Sequence, residues 1–202
     1  MSPTPNDVPR PAAAGRRRLL RPAVVVPVTA GVVVLGAIGL ALFQPWKLVV
    51  DESVDEAAPT VASVPAASAP ATPGEATAAP AAPAAPVVLA QGSFISHEHA
   101  TTGTAAILQL PDGSRVLRIE NLDTSNGPDL KVWLTDAPVI EGTDGWAVFD
   151  DGQYVDLGSL KGNQGSQNYT IPAEVDLAGL SSLSIWCDRF SVSFGAAELL
   201  PA

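Results

Sequence analysis

Few side chains in this 202-residue sequence can do redox or ligand chemistry: one cysteine, Cys187, and two histidines, His97 and His99. A lone thiol can serve as a redox group, a nucleophile or a soft ligand. In Ser96-His97-Glu98-His99 the imidazoles are two residues apart, so in an extended segment they share a face with Glu98 opposite. That spacing could hold a transition metal, with Cys187 as a third donor. The same residues have plain structural uses: cysteine as a small buried apolar group, histidine as a hydrogen-bonded core residue. A blue-copper site is disfavoured, since no histidine follows Cys187 closely and the only methionine is Met1. A c-type haem attachment needs paired cysteines, and one cysteine permits no intramolecular disulfide, though an intermolecular one stays open. A Cys-His nucleophile pair lacks a third orienting group, and no phosphate loop, hydrolase elbow or metalloprotease helix is present. The composition therefore argues against a hydrolase.

The elements that must position these residues read as all-β, over a domain from Val87 to Ala202. Thr104 to Leu110 and Arg115 to Leu122 flank the turn Pro111-Asp112-Gly113-Ser114, and Leu117 and Ile119 alternate inward against Arg118 and Glu120. After the turn Ser125-Asn126-Gly127-Pro128, Leu130, Val132 and Leu134 share one face; Ala137 to Gly152 reads as a long loop. Tyr154 to Leu157, Gln167 to Ile171, Leu183 to Cys187 and Phe190 to Phe194 bring the count to about seven strands, most simply a two-layer antiparallel sandwich. Apolar parity is odd through Leu183, Ile185 and Cys187 but even through Phe190, Val192 and Phe194, which predicts a bulge or tight turn at Cys187 to Arg189. Trp133 and Trp186 fall on the outward phase and Trp146 in the long loop, where they would either bind a sugar or protein or cover a second apolar layer.

Ala23 to Phe43 contains no charged residue and follows Arg16, Arg17, Arg18 and Arg21. It is long enough for a transmembrane helix, and the arginines orient residues 1–22 to the cytoplasm and the remainder outside. A cleaved signal peptide ending near Gly39-Leu40-Ala41 is the alternative, and the arginines loosely resemble a twin-arginine export signal. Residues 47–86 read as a linker. From Ala57 to Pro86, fourteen of thirty residues are Ala and seven Pro, so an extended spacer could reach roughly 90 Å. Net charge is −10, and the five basic and fifteen acidic residues from Val87 onward argue against nucleic-acid binding.

Four segments together resemble the DM-thirteen family. They are His99 with Gly103, "LRIENLDTSNGPDLKVWL" (117–134), "YVDLGSLKGNQGSQNYTIP" (154–172) and "SIWCDRFSVSFGAAEL" (184–199). The resemblance implies an extracellular β-domain of electron-transfer function. Its near-invariant cysteine matches Cys187, as a free thiol or a ligand to a prosthetic group such as haem. On that reading Cys187 is the redox centre and His99 the best second ligand, with Lys161, Asn163 and Gln164 shaping a ligand loop. Animal members sit beside DOMON domains and membrane cytochromes, whereas this sequence has neither, so an electron donor must be another protein. The rival expectation is a non-catalytic module that binds cell-wall polysaccharide or a partner protein.

Overall fold

The computed structural model describes residues 22–59 and 85–202. The basic tail and the central part of the expected linker lie outside the described residues. The chain forms two compact units, residues 1–44 and 45–202.

The first unit holds α1 (Pro22–Phe43), a 22-residue helix apolar on all sides. At about 1.5 Å per residue it is roughly 33 Å long, enough to cross a bilayer. Within it, Val25–Phe43 has a mean hydropathy of 2.4 and none of it is buried against protein. Gln44, at φ 40, breaks the helix before Pro45.

The second unit is all-β. A 3-10 turn (Pro45–Val49) leads into β1 (Ser53–Asp55). Then follow β2 (Val87–Ser96), β3 (Thr102–Gln109), β4 (Arg115–Asp123), β5 (Leu130–Thr135), β6 (Tyr154–Ser159), β7 (Gln164–Ile171), β8 (Ser182–Cys187), β9 (Val192–Glu198) and β10 (Leu200–Pro201). They make one sheet in the order β1-β7-β4-β3-β2-β9-β8-β5-β6, with β10 also on β2. The expected two layers are thus halves of one curled sheet. β2 belongs to both: Val87 to Ser93 pair with β3, and Phe94 to Ser96 with β9. At the change of partner stands Gly92, where a Cβ would run into the carbonyl of Glu198. The curl brings β6 round to β7, where the Tyr169 hydroxyl lies 3.5 Å from the Ser159 carbonyl.

Inside the curl, Leu117, Ile119, Val132, Leu134, Leu183 and Ile185 are fully excluded from solvent. These are the inward positions that alternation predicts, and the Pro111–Ser114 turn closes the β3–β4 hairpin as expected, with Gly113 at φ 84. The outer face of the β9-β8-β5 half departs from simple parity. Trp133, Trp186 and Ala196 point away from the inner core yet are buried beneath Ala137 and Phe149 of the long β5–β6 loop. Trp186 stacks on Trp133 at 5.0 Å between ring centroids, and Trp133 on Tyr154 at 4.0 Å. Every residue of β8 is therefore buried, from one side by the core and from the other by the loop.

Phe149, fully buried, is the loop's main apolar anchor against Trp186. Phe149→Ala is expected to cost about 3–5 kcal/mol, read by chemical denaturation of the intact chain. A loss below about 1 kcal/mol would mean the loop is a detachable cover and not part of the fold.

Candidate functional site

Cys187 is the last residue of β8 and is completely excluded from solvent. Its cross-strand neighbours are Leu130 on β5 and Val192 on β9. The predicted phase change is a tight turn: Asp188 to Ser191 reverse the chain, the Phe190 amide donates to the Cys187 carbonyl at 3.2 Å, and Ser191 takes φ 49. Phe190 is half-exposed on this turn and precedes β9, so it is not the inward strand residue that parity suggests. Burial pushes the Cys187 thiol up, with backbone hydrogen bonds from Phe190, Arg189 and Asp129 opposing it and the Glu98 charge adding to it. The resting group is a protonated thiol set among backbone amides that would favour its anion.

The histidines do not share a face. The chain leaves β2 at Ser96 and bends, so strand alternation stops applying. His97 turns under the long loop, 5.7 Å from Phe149, while His99 lies on Phe194 of the inner core at 3.9 Å between ring centroids. His97 has both ring nitrogens engaged: Nε2 is 3.1 Å from the Ile140 carbonyl and Nδ1 is 2.9 Å from Ser193 Oγ. A carbonyl only accepts, so Nε2 carries the proton and Ser193 donates to Nδ1, while Ser184 donates in turn to Ser193 at 2.9 Å. Burial pulls the His97 pKa down, against the Ile140 carbonyl. With Ser184 and Ser193 fully buried, this Ser-Ser-His chain reaches no substrate; it pins the loop to the sheet. Serines at alternate positions beside Trp186 are the signal of a polar seam, but its histidine partner comes from the bend after β2, which spacing alone could not supply. No hydrogen bond joins His97 or His99 to Cys187 among the described residues.

The expected ligand loop is filled by the chain itself. Residues 50–57, assigned to the linker by composition, lie along β7 as a strap, and β1 pairs in parallel with Gln164 to Ser166. Asn163, buried, donates to Asp51 Oδ1 at 2.9 Å and accepts from the Glu52 amide at 2.7 Å. Lys161 Nζ contacts both Glu56 oxygens at 2.8 and 3.0 Å, and Gln164 receives the Ser53 hydroxyl at 3.2 Å. Arg118, expected to face solvent, is buried because its guanidinium donates to the Glu56 carbonyl at 2.6 Å. The cluster Asp51-Glu52-Ser53-Val54-Asp55-Glu56, free of Ala and Pro, was the signal that this stretch differs from the spacer after it. The Lys161 hydrogen bond, with the Asn168 amide, holds the Glu56 carboxyl below its usual range.

Three features bear on a cofactor. Among the described residues, no group of three or more His, Cys, Asp or Glu side chains is placed to hold a metal ion. A concavity of about 860 Å³ lies over β2, β3 and β10 with Glu120, Glu141 and Glu198 on its walls, and neither Cys187 nor either histidine lines it. The cleft that includes Leu130, beside Cys187, is about 90 Å³, below the roughly 300–1,000 Å³ of cofactor pockets. A haem liganded by Cys187 does not fit this packing. Trp133 and Trp186, at 5% and 1% exposure, present no stacking face to a sugar, so they cover the second apolar layer instead.

Fold and site together define a small all-β domain with one sequestered thiol at the end of a buried strand. The family model described as "Electron transfer DM13" matches residues 93–199. The chain belongs to this family of electron-transfer domains, and Cys187 lies inside the matched region. No curated protein and no solved structure matches the chain.

Two outcomes follow from the geometry. Alkylation of Cys187 in the native chain near neutral pH should be slower than in the unfolded chain by on the order of 100-fold or more, followed by mass spectrometry. Comparable rates would place the thiol at the surface. The second concerns acid. His97 has a folded pKa below its reference 6.5, so its stabilising contribution is present above 6.5 and is lost as pH falls through the folded value. Glu56 behaves alike around a lower range, from its reference 4.5 downward. Denaturation midpoints across this range should fall on acidification, and less steeply in His97→Gln. An unchanged profile in that variant would remove His97 from the account.

Proposed function

We propose that this chain is a membrane-anchored, extracytoplasmic electron-transfer protein in which Cys187 is the redox-active group. The observation that carries the reading is the only cysteine of an electron-transfer family domain, set at the end of β8 with backbone amides around its sulfur. α1 supports the anchor by length and composition, and the arginines before it favour a cytoplasmic N-terminus. The acidic domain then lies outside, where a redox partner protein exchanges electrons with it.

Burial shapes the chemistry. A sulfur with no exposed surface cannot be approached directly by a partner's disulfide or by a second copy's thiol. Electrons instead cross the Asp188–Ser191 turn, whose Phe190 and Arg189 are exposed to a docking partner. Because the thiol rests protonated, its one-electron oxidation breaks the S–H bond and leaves a thiyl radical, the electron reducing the oxidised partner and the proton passing to solvent.

Voltammetry of the full chain in detergent tests this. A Cys187-dependent couple should shift by about 59 mV per pH unit near neutrality, as one electron coupled to one proton requires, and vanish in Cys187→Ser. A couple that survives Cys187→Ser, or no couple at all in folded protein, would refute the assignment.

A further inference from the structure

The strap along β7 is built like a bound peptide. Its backbone supplies a ladder: the Gln164 amide donates to the Glu52 carbonyl at 3.2 Å, and the Glu56 amide donates to the Ser166 carbonyl at 2.8 Å. Side chains of the domain read the rest. Asn126 donates to the Val50 carbonyl at 3.0 Å, Asn163 clamps Asp51 and Glu52, and Lys161 and Arg118 take Glu56. Two glycines make room: a Cβ on Gly162 would meet the Glu52 carbonyl at 2.5 Å, and one on Gly165 would strike the Val54 carbonyl. Gly165 also holds φ 97, a conformation that other residues rarely adopt. Every one of these receptor residues falls within 93–199, the family-matched region, whereas the strap lies before it.

We propose that the β7 edge, with Arg118, Lys161, Asn163, Gly162 and Gly165, is a docking site for an extended acidic peptide, and that residues 50–57 are its detachable occupant in cis. Recognition is by strand addition at a sheet edge, main-chain bonds giving affinity, Arg118 among them through the Glu56 carbonyl, and Lys161 selecting an acid at the position of Glu56. Four of the six strap residues from Asp51 to Glu56 are acidic, and Lys161 pairs with the last of them. Of its apolar side chains Val50 and Ala57 are exposed and Val54 is half-buried, so little hydrophobic burial opposes release. The consequence is reach. With the strap docked, nine residues (44–52) separate Phe43 from the sheet, a span of at most about 30 Å. With it released, forty-three residues (44–86) precede β2, at most about 140 Å. Docking therefore shortens the tether, and any acidic segment that competes for β7 lengthens it.

The test uses the full chain in detergent. Val54→Pro with Glu56→Gln removes a ladder donor and the carboxylate from the strap. A fluorescein-labelled synthetic peptide of residues 50–59 should bind this variant saturably and bind the wild-type chain at least tenfold more weakly. Adding Lys161→Glu should cut binding at least tenfold and restore it for a peptide carrying E56K. Equal binding to strap-broken and wild-type chains, no binding to a folded strap-broken chain, or indifference to the charge swap would each overturn the proposal. Hydrogen exchange on the wild-type chain decides the matter if the variant does not fold. The Glu56 amide should exchange at least a hundredfold faster than core amides of β4 and β8. Exchange of that amide only together with the core would make the strap a permanent part of the fold.

Discussion

The change of partner along β2 is the constraint from which the rest of this domain follows. A ten-residue strand that pairs with β3 in its first part and β9 in its last cannot stay in a flat sheet, since its two sets of neighbours must diverge. Gly92 permits the bend, because the Glu198 backbone occupies the space a side chain would need. Once the sheet curls, the inward residues of β4, β5 and β8 meet each other across a closed core, and β6 arrives beside β7. The curl also fixes where β2 ends. His97 and His99, immediately after it, are laid across β9, their amides and that of Glu98 donating to Phe194 and Ser193 carbonyls.

That placement explains why the two imidazoles of a sequence pattern suggestive of a metal site do not converge. Imidazoles two apart converge only while the backbone stays extended, and here it bends at the first of them. One ring then goes to the outer layer and the other to the inner core, so the pair is split by the sheet itself. His97 is spent on holding the loop over Trp186, where neutral imidazole is both donor and acceptor in a buried chain of hydroxyls. A charged or metal-bound imidazole there would leave Ser193 or Ile140 without its partner, a cost of about 1–3 kcal/mol for each buried polar group.

Much of the fold was legible because its strands obey a period of two and its turns use the expected residues. Leu117, Ile119, Leu130, Val132, Leu134, Leu183 and Ile185 all lie where alternation puts them, and the apolar phase shift located the turn after Cys187. Alternation failed where a third layer intervenes. It reports which side of a strand a residue occupies, not what covers that side, so Trp133, Trp186 and Arg118 read as outward and proved buried. Their covers are a loop and a strap remote in sequence, 137–152 and 50–57, whose docking depends on a few individual contacts, chiefly apolar for the loop and polar for the strap, rather than on any periodic signal. The family segment at Lys161 to Asn168 was recognisable, but its use was not: the glycines and amides that suggested a ligand loop are satisfied by a strand of the same chain.

Cys187 is governed by two opposed effects of one turn. Carrying the sulfur to the end of a strand covered on both sides removes its water and favours the neutral thiol. Reversing the chain immediately afterwards aims amides at it, which favours the anion. Neither effect alone would suit the proposed redox role: a fully apolar niche would oppose loss of the proton, and an open one would expose the thiol to oxidants. Under that proposal, proximity of the exposed turn to the buried sulfur resolves the conflict, since an electron would need only a short path and a proton only a local one. The same logic explains why no large cavity is required at this site. A thiol that was itself the redox group would need only a sealed niche with a thin wall, which is the form β8, its turn and the covering residues of β9 take.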